Sequence, residues 1–297
     1  MLHGVINVYK EKGFTSHDVV AKLRGITRQK KIGHTGTLDP DAEGVLPVCF
    51  GKATKLCDLL TDKDKTYRAT LLLGKETDTQ DISGTVLNES GTDELTEEMV
   101  CAAILSFVGE YDQIPPMYSA LKVNGKKLYE LAREGKVVER KARRITIHDI
   151  QILGVALPRV EFEVSCSKGT YIRTLCHDIG EKLGCHGCME KLLRTKVYMF
   201  QLDQSKTLSE IEKMRDENTL DSILIPVDEV LYKYPEYHVS EDQEKKLMNG
   251  NEIFLSENQE KLKNRDKVRV YDASGEFRAI YEYRAYNHSL KSIKMFL

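Results

Sequence analysis

The chain has 297 residues, and 44 Lys+Arg against 46 Asp+Glu give it a formal net charge of −2 and a pI near 6.5. With 41% hydrophobic and 30% charged residues it is neither a disordered chain nor a bundle of membrane helices, and it is long enough for one large core or a core plus a satellite domain. No disulfide or metal is needed to hold such a chain together, and the near-zero charge gives no reason to expect a nucleic-acid partner.

The first five residues lack the basic-then-apolar layout of a signal peptide, and no apolar run approaches the ~18 residues of a membrane span. A cytoplasmic location is expected. Seven cysteines, at 49, 57, 101, 166, 176, 185 and 188, are odd in number and scattered, which fits reduced thiols better than a disulfide framework.

Ser16 reads as the residue preceding a helix with Val19, Val20 and Leu23 on one face. Residues 33–48 then hold three glycines and two prolines, so a shaped, irregular loop is expected, with Pro40 pushing Asp39 into an extended conformation. Asp39, Asp41 and Glu43 alternate there and suggest a calcium loop. That reading fails, because the twelfth position is Phe50 and not a glutamate, and Pro40 sits inside the turn. A glycosidase pair is poorly served by carboxylates two residues apart on one loop. Nucleotide cofactors have no G-x-x-x-x-G-K-S/T or G-x-G-x-x-G motif to bind to. The loop by itself presents one carboxylate beside a histidine, or else caps a tight turn.

Further along, residues 66–73 read as a strand ended by Gly74. Thr96 caps a helix with Val100, Ala103, Ile104 and Phe107 at helical spacing, stopped by Gly109. Val160, Phe162, Val164 and Cys166 alternate with polar residues as a half-buried strand. Ile172, Leu175, Ile179 and Leu183 mark an amphipathic helix, and Cys176 joins its buried stripe. Cys176-His177 with Cys185-His186-Gly187-Cys188 supplies zinc-type residues at a spacing that matches no strong zinc pattern, so a Cys-rich helix end and loop is the simpler reading. Prolines interrupt the pattern around residues 226–240, and short alternating strands follow on either side of Asp272-Ala273-Ser274-Gly275. Strands and helices without regular βαβ alternation predict an α+β core, and the C-terminal piece is too small to stand alone.

The average charge conceals two blocks. Residues 76–112 carry ten acidic and no basic residues, and residues 120–145 carry nine basic and three acidic ones. Tyr118, Tyr129 and those cations compose either a phosphate-backbone grip with stacking partners or a solvated basic face. The acidic stretch is expected to face away from the site.

Gly33-His34-Thr35-Gly36-Thr37-Leu38-Asp39-Pro40, with Gly44-Val45-Leu46-Pro47 and Gly51-Lys52-Ala53-Thr54-Lys55, closely resembles the signature of the TruB family of tRNA pseudouridine-55 synthases. Three more stretches match in order: Lys65-Thr66-Tyr67-Arg68-Ala69 with Gly74, Thr77, Asp78, Thr79 and Asp81; Gln113 to Lys122; and Cys166 to Leu175. The resemblance runs from residue 4 to about 195 and thins over the last 65 residues. It implies a pseudouridine-synthase mixed sheet flanked by helices (residues 1–230), with a basic RNA-gripping insertion at 120–145, and a small PUA-like RNA-binding domain (231–297).

As the resemblance carries them, Asp39 is the nucleophile or base, Arg173 its ion-pair partner, and Tyr67 the tyrosine that stacks on the flipped uracil and assists loss of the C5 proton. Tyr171 and His34 border the same pocket. Attack on the base and abstraction of a sugar proton both stay open. Lys122, Lys126, Lys127, Arg133, Arg143 and Arg144 fall in the insertion expected to close on the T-arm. The implied enzyme uses no cofactor or metal, takes tRNA as substrate and works as a monomer without a protein partner. A guide-directed relative would carry long basic extensions that this chain lacks, and an RNA chaperone would have no need of Asp39, Tyr67 and Arg173 together. Two departures stand out: Tyr9-Lys10-Glu11-Lys12-Gly13 replaces the usual D-K-P-x-G, and Leu193-Arg194-Thr195-Lys196 is less basic than the usual L-R-R.

Overall fold

The computed structural model describes residues 1–255 and 262–297. The architecture is α+β: a nine-stranded mixed sheet flanked by helices, and a second sheet of five strands near the C-terminus. The main path of the large sheet runs Gly4–Lys10, Glu43–Phe50, Gly187–Val197, Lys65–Leu73, Arg159–Cys166, Arg143–Ala156, Gly109–Gln113. Neighbours on this path are antiparallel except at one joint, where Glu43 and Gly44 run parallel to Leu193 and Arg194. That joint lies at the end of the 35–42 segment and is only two residue pairs long, so the strands part there and leave room for a site.

Alternation fixes the register. In Arg159–Cys166 the even-numbered residues Val160, Phe162, Val164 and Cys166 are fully buried, and they pack with Ala69 and Leu71 of the neighbouring strand. The helix Ile172–Leu183 covers this face with Ile172, Leu175, Cys176 and Ile179 and is closed by Gly184 in the left-handed region (φ 70°). Toward the Gly4–Lys10 edge of the sheet lies a second core, where the helix Ser16–Thr27 packs Val19, Val20 and Leu23 against Ile6, Val8, Leu46 and Val48.

Three sequence expectations shift. The first helix is capped by Thr15, which shares a capping box with Asp18. Ser16 is the first helical residue, and its hydroxyl accepts from the Leu38 amide at 2.9 Å. The segment 33–48 is irregular only over residues 35–42, because Glu43–Phe50 is a strand and Pro47 sits in it opposite Asn7. The helix begun by Thr96 ends at Leu105, and Gly109 instead opens a strand.

The five-stranded sheet is seated on the body built around the large sheet. Ile280 and Phe296 share a buried cluster with Val5, Val45, Leu56, Val197 and Val230, and Lys294 pairs with Asp58 across the junction. No helix among the described residues is long and apolar enough to cross a membrane.

Candidate active site

Asp39 projects from the connection between two paired strands, Ile32–His34 and Glu43–Phe50. Three elements hold this connection. The Thr35 amide and hydroxyl both donate to the Pro47 carbonyl (3.2 and 3.1 Å). Ser16 takes the Leu38 amide, and the Gly13 amide donates to the Pro40 carbonyl at 2.9 Å. Lys10, fully buried, points its ammonium at the carbonyls of Ala42 (2.6 Å) and Pro40 (3.1 Å). Burial pushes Lys10 down to about 8, against the pull of Asp39 and Glu43.

Gly44 ends the segment at φ 106°, and a Cβ there would lie 2.3 Å from the Arg194 carbonyl. No side chain fits, so the two backbones meet at the parallel joint. The Arg194 side chain, also fully buried, returns to the loop: Nε donates to the Val45 carbonyl at 2.7 Å, and the two terminal nitrogens reach the carbonyls of Thr37 and Gly36 at 3.5 Å. The loop carrying Asp39 is therefore fixed by buried cations gripping its carbonyls, leaving the Asp39 side chain 41% exposed.

Arg173 is the second residue of the helix Ile172–Leu183 and its side chain is only 5% exposed. Nε lies 2.9 Å from Asp39 Oδ2 and Nη2 3.4 Å from Oδ1. The same guanidinium donates to the carbonyls of Thr79 and Tyr118, both at 2.9 Å, and stands 3.6 Å from Asp81. One planar fork thus joins four separate chain segments, which an ammonium cannot do. Asp81 belongs to the acidic stretch expected to face away, and Asp78 accepts from the Tyr118 hydroxyl at 3.5 Å. The acidic stretch is part of the site wall, because the turn 78–84 folds back beside Arg173.

Tyr67 lies on Lys65–Leu73 directly opposite Arg194 and is buried. Burial pushes its phenol up to about 12, with the charge of Arg194 pulling the other way. Tyr171 is half-buried at the N-cap of the Arg173 helix. Buried Gln113 clamps it, accepting from the Tyr171 amide (2.8 Å) and donating to the Tyr171 carbonyl (3.0 Å). Its hydroxyl is raised by burial, with Arg173 and Arg143 nearby. His34 is half-buried edge-on to His17 at 5.7 Å, and burial lowers its pKa, with His17 adding to the effect. Asp39 and Arg173 are thus in contact, and the Tyr67 and Tyr171 phenols lie near enough to sense the Asp39 charge, while the neighbours of His34 are His17, Gly36 and Arg194.

The insertion is a small unit of its own, with Met117, Leu128 and Leu131 as its core. Lys122 and Lys127 pair across a tight hairpin, Lys126 lies 3.5 Å from Glu134, and Lys127 and Arg133 both lie over the Tyr129 ring (5.3 and 5.4 Å). Arg143 is exposed beside Gln113 on the adjoining strand. Arg144 differs from these, because it is held by Asp112 at 2.7 and 2.9 Å and by Glu110 at 3.4 Å. At this edge the acidic and basic blocks do cancel in space, since they are neighbouring strands of one sheet.

Sequence reasoning gave no role to Lys10, Gln113 or Arg194, although each stands in one of the motif stretches. Lys10 had a signal, standing in phase with the buried Ile6 and Val8. Arg194 was noticed only as a departure from a motif. Among the described residues no group of three or more His, Cys, Asp or Glu side chains is placed to hold a metal ion, and Cys176, Cys185 and Cys188 are buried free thiols.

Residues 24–172 match the family model described as TruB family pseudouridylate synthase (N terminal domain), and residues 173–232 that of the tRNA pseudouridylate synthase B C-terminal domain. The chain is 55% identical over 308 residues to the tRNA pseudouridine synthase B of Lachnoclostridium phytofermentans, covering 100% of each. It is 48% identical over 270 residues to that of Clostridium tetani, covering 91% of this chain and 92% of the other. Among solved structures, a chain of a Cbf5-Nop10-Gar1 complex aligns at TM-score 0.76 and 26% identity, covering 99% of this chain and 85% of that one. A chain of an H/ACA RNP bound to a substrate RNA containing 2'-deoxyuridine aligns at 0.74 and 23%, with the same coverage, and speaks for the fold.

Proposed function

The chain belongs to the TruB family of pseudouridylate synthases, and from that premise we propose that it converts uridine 55 in the T-arm of tRNA to pseudouridine, acting alone and without a cofactor. The observation that carries this reading is the fixed pair of Asp39 and Arg173, with Asp39 still 41% exposed and the Tyr67 and Tyr171 phenols close enough to sense its charge. In the isomerisation the N1–C1′ bond breaks, the uracil turns, the C5–C1′ bond forms, the C5 proton leaves and N1 gains one. Attack on the base and removal of a sugar proton both need an oriented carboxylate, and the Arg173 guanidinium holds both oxygens of Asp39.

Uracil reaches Asp39 only when flipped from the loop, at a cost of a few kcal/mol. Tyr67, its phenol kept protonated by burial, offers the base a flat face. Tyr67 is also the residue we assign to assist loss of the C5 proton, with the Arg194 charge working against the effect of burial on its phenol. His34 and Tyr171 border the flipped nucleotide. Lys122, Lys126, Lys127, Arg133 and Arg143 grip phosphates of the stem, and Arg144 adds least because Asp112 neutralises it.

The test is tritium release from unmodified tRNA labelled at uridine C5, using the purified protein with no metal, nucleotide, guide RNA or second protein. Stoichiometric release from uridine 55 is expected. No release overturns the enzymatic reading, and release confined to another position overturns the site specificity.

A further inference from the structure

The seven cysteines are all free thiols, and two of them meet beneath the segment that carries Asp39. Cys49 lies in the strand Glu43–Phe50 directly opposite Gly33 of Ile32–His34. Side-chain positions opposed in this way share one face of the sheet and lie about 4.5–5.5 Å apart, and Gly33 leaves its own position open. Cys57, the first residue of the short helix Cys57–Thr61, takes that space: its Sγ stands 3.1 Å from where a Gly33 Cβ would be. Cys57 accordingly packs on the buried cluster that contains Cys49. The glycine thus brings together two sulfurs, joined in the chain by the turn Gly51–Leu56, at the root of the loop that carries Asp39.

The two thiols differ in access and in charge. Cys49 is fully buried, whereas Cys57 is partly exposed and lines a cleft of about 510 Å³ with Asp58 and Lys294. Cys57 is lowered, chiefly by Cys49, which outweighs burial and Asp58, and Lys294 adds to the effect. Cys49 is raised by Cys57 and by burial. Burial raises the remaining five, Cys101 with help from Glu97 and Glu98. The thiolate is the nucleophilic form, so among the seven only Cys57 combines an access route, a favoured thiolate and a second sulfur beside it. Together these properties mark a redox-active cysteine with a resolving partner.

We propose that Cys57 and Cys49 form a peroxide-reactive dithiol, with Cys57 the attacking thiol and Cys49 the resolving one, closing to a reversible intrachain disulfide. In the first step the Cys57 sulfur attacks one oxygen of hydrogen peroxide, the O–O bond breaks, and the departing hydroxide takes the Cys57 proton as water, which leaves a sulfenic acid. In the second the Cys49 sulfur attacks the Cys57 sulfur, the S–O bond breaks, and the hydroxide leaves as water with the Cys49 proton. Two thiols and one peroxide become one disulfide and two waters, the sulfurs giving up two electrons. Because Cys49 intercepts the sulfenic acid, Cys57 does not advance to the irreversible sulfinic acid, and a thiol reductant restores both residues.

The test treats the reduced full chain with a small excess of hydrogen peroxide, without denaturant or RNA, and follows free thiols and intact mass. Two thiols and two hydrogens are expected to be lost, and dithiothreitol is expected to restore them. Trypsin cuts after Lys52 and Lys55, so the bridge is expected as peptide 32–52 joined to peptide 56–63. Cys57→Ser is expected to slow thiol loss by about tenfold or more. Cys49→Ala is expected to take up one oxygen at Cys57, captured by dimedone, and then a second that dithiothreitol does not remove. Cys101→Ser is expected to bridge as the unaltered chain does. Survival of all seven thiols, a bridge between other cysteines, or oxidation of Cys101 ahead of Cys57 overturns the proposal, and full recovery of oxidised Cys49→Ala overturns the resolving role. The bridge is mapped on the unaltered chain, so that result holds whether or not a variant folds. None of these readouts needs turnover of RNA, so their failure is distinct from failure of the proposed function.

Discussion

Arg173 is the residue whose replacement most directly tests the site. Its guanidinium serves Asp39, the Thr79 carbonyl and the Tyr118 carbonyl at once. Arg173→Ala leaves both carbonyls without this donor and Asp39 without its cation. A hydrogen bond from a charged donor contributes about 1.5–3 kcal/mol. Because Asp39 is 41% exposed, solvent screens the ion pair to about 1 kcal/mol. Water entering from the open side recovers part of the loss, so stability is expected to fall by about 4 kcal/mol, a large fraction of the 5–15 kcal/mol typical of a domain. If all of that loss falls on the orientation of Asp39, turnover drops about a thousandfold.

Arg173→Lys separates charge from geometry. The cation survives, but a single ammonium on a shorter stem cannot reach Asp39 and both carbonyls together. Stability is expected within about 2 kcal/mol of the unaltered chain, yet single-turnover tritium release is expected to be at least tenfold slower. Urea unfolding measures the first quantity and rapid-quench tritium release the second. Turnover by Arg173→Lys within threefold of the unaltered rate refutes the shared-fork argument, because charge alone would then suffice. Turnover by Arg173→Ala at that level removes Arg173 from the site altogether.

Asp39→Asn is expected to bring tritium release to background while the Kd for tRNA stays within about threefold, and substantial turnover means Asp39 is misassigned. Lys126→Ala with Lys127→Ala is expected to reduce the salt slope of RNA binding by nearly two units, and an unchanged slope returns the insertion to a solvated face. Gly44→Ala places a methyl 2.3 Å from the Arg194 carbonyl at φ 106° and is expected to cost more than about 2 kcal/mol in urea unfolding, whereas a neutral result means the parallel joint yields. Lys10 is depressed by burial to about 8 from 10.5. Between those values the unfolded chain holds a proton that the folded chain lacks, so this residue makes stability rise with pH across that window and leaves it flat below. Lys10→Met is expected to shrink that rise, with urea midpoints from pH 7 to 10.5 as the measure, and an identical rise shows that Lys10 does not titrate there.

The sequence by itself determined the elements whose causes are local. Alternation over residues 160–166 was enough to place a strand, and Thr96 with its helical spacing was enough to start a helix, because burial phase and capping are set within a few residues. The motif resemblance likewise singled out Asp39 and Arg173, which the fold brings together. Only the tertiary structure decided what holds them. Arg173 meets Thr79 and Tyr118 from segments 94 and 55 residues away, and Arg194 meets the loop carbonyls from more than 145 residues away. No local pattern encodes such contacts, since a cation in a strand reads as solvent-facing until the partner backbone that buries it is in place. The charge blocks show the same limit: residues 76–112 and 120–145 differ in sign along the chain, but the pairing of Gly109–Gln113 with Arg143–Ala156 sets Asp112 against Arg144, and the fold of the 78–84 turn sets Asp81 beside Arg173. Which charges are neutralised and which remain for a polyanion is a property of strand order, and strand order is fixed by long-range packing.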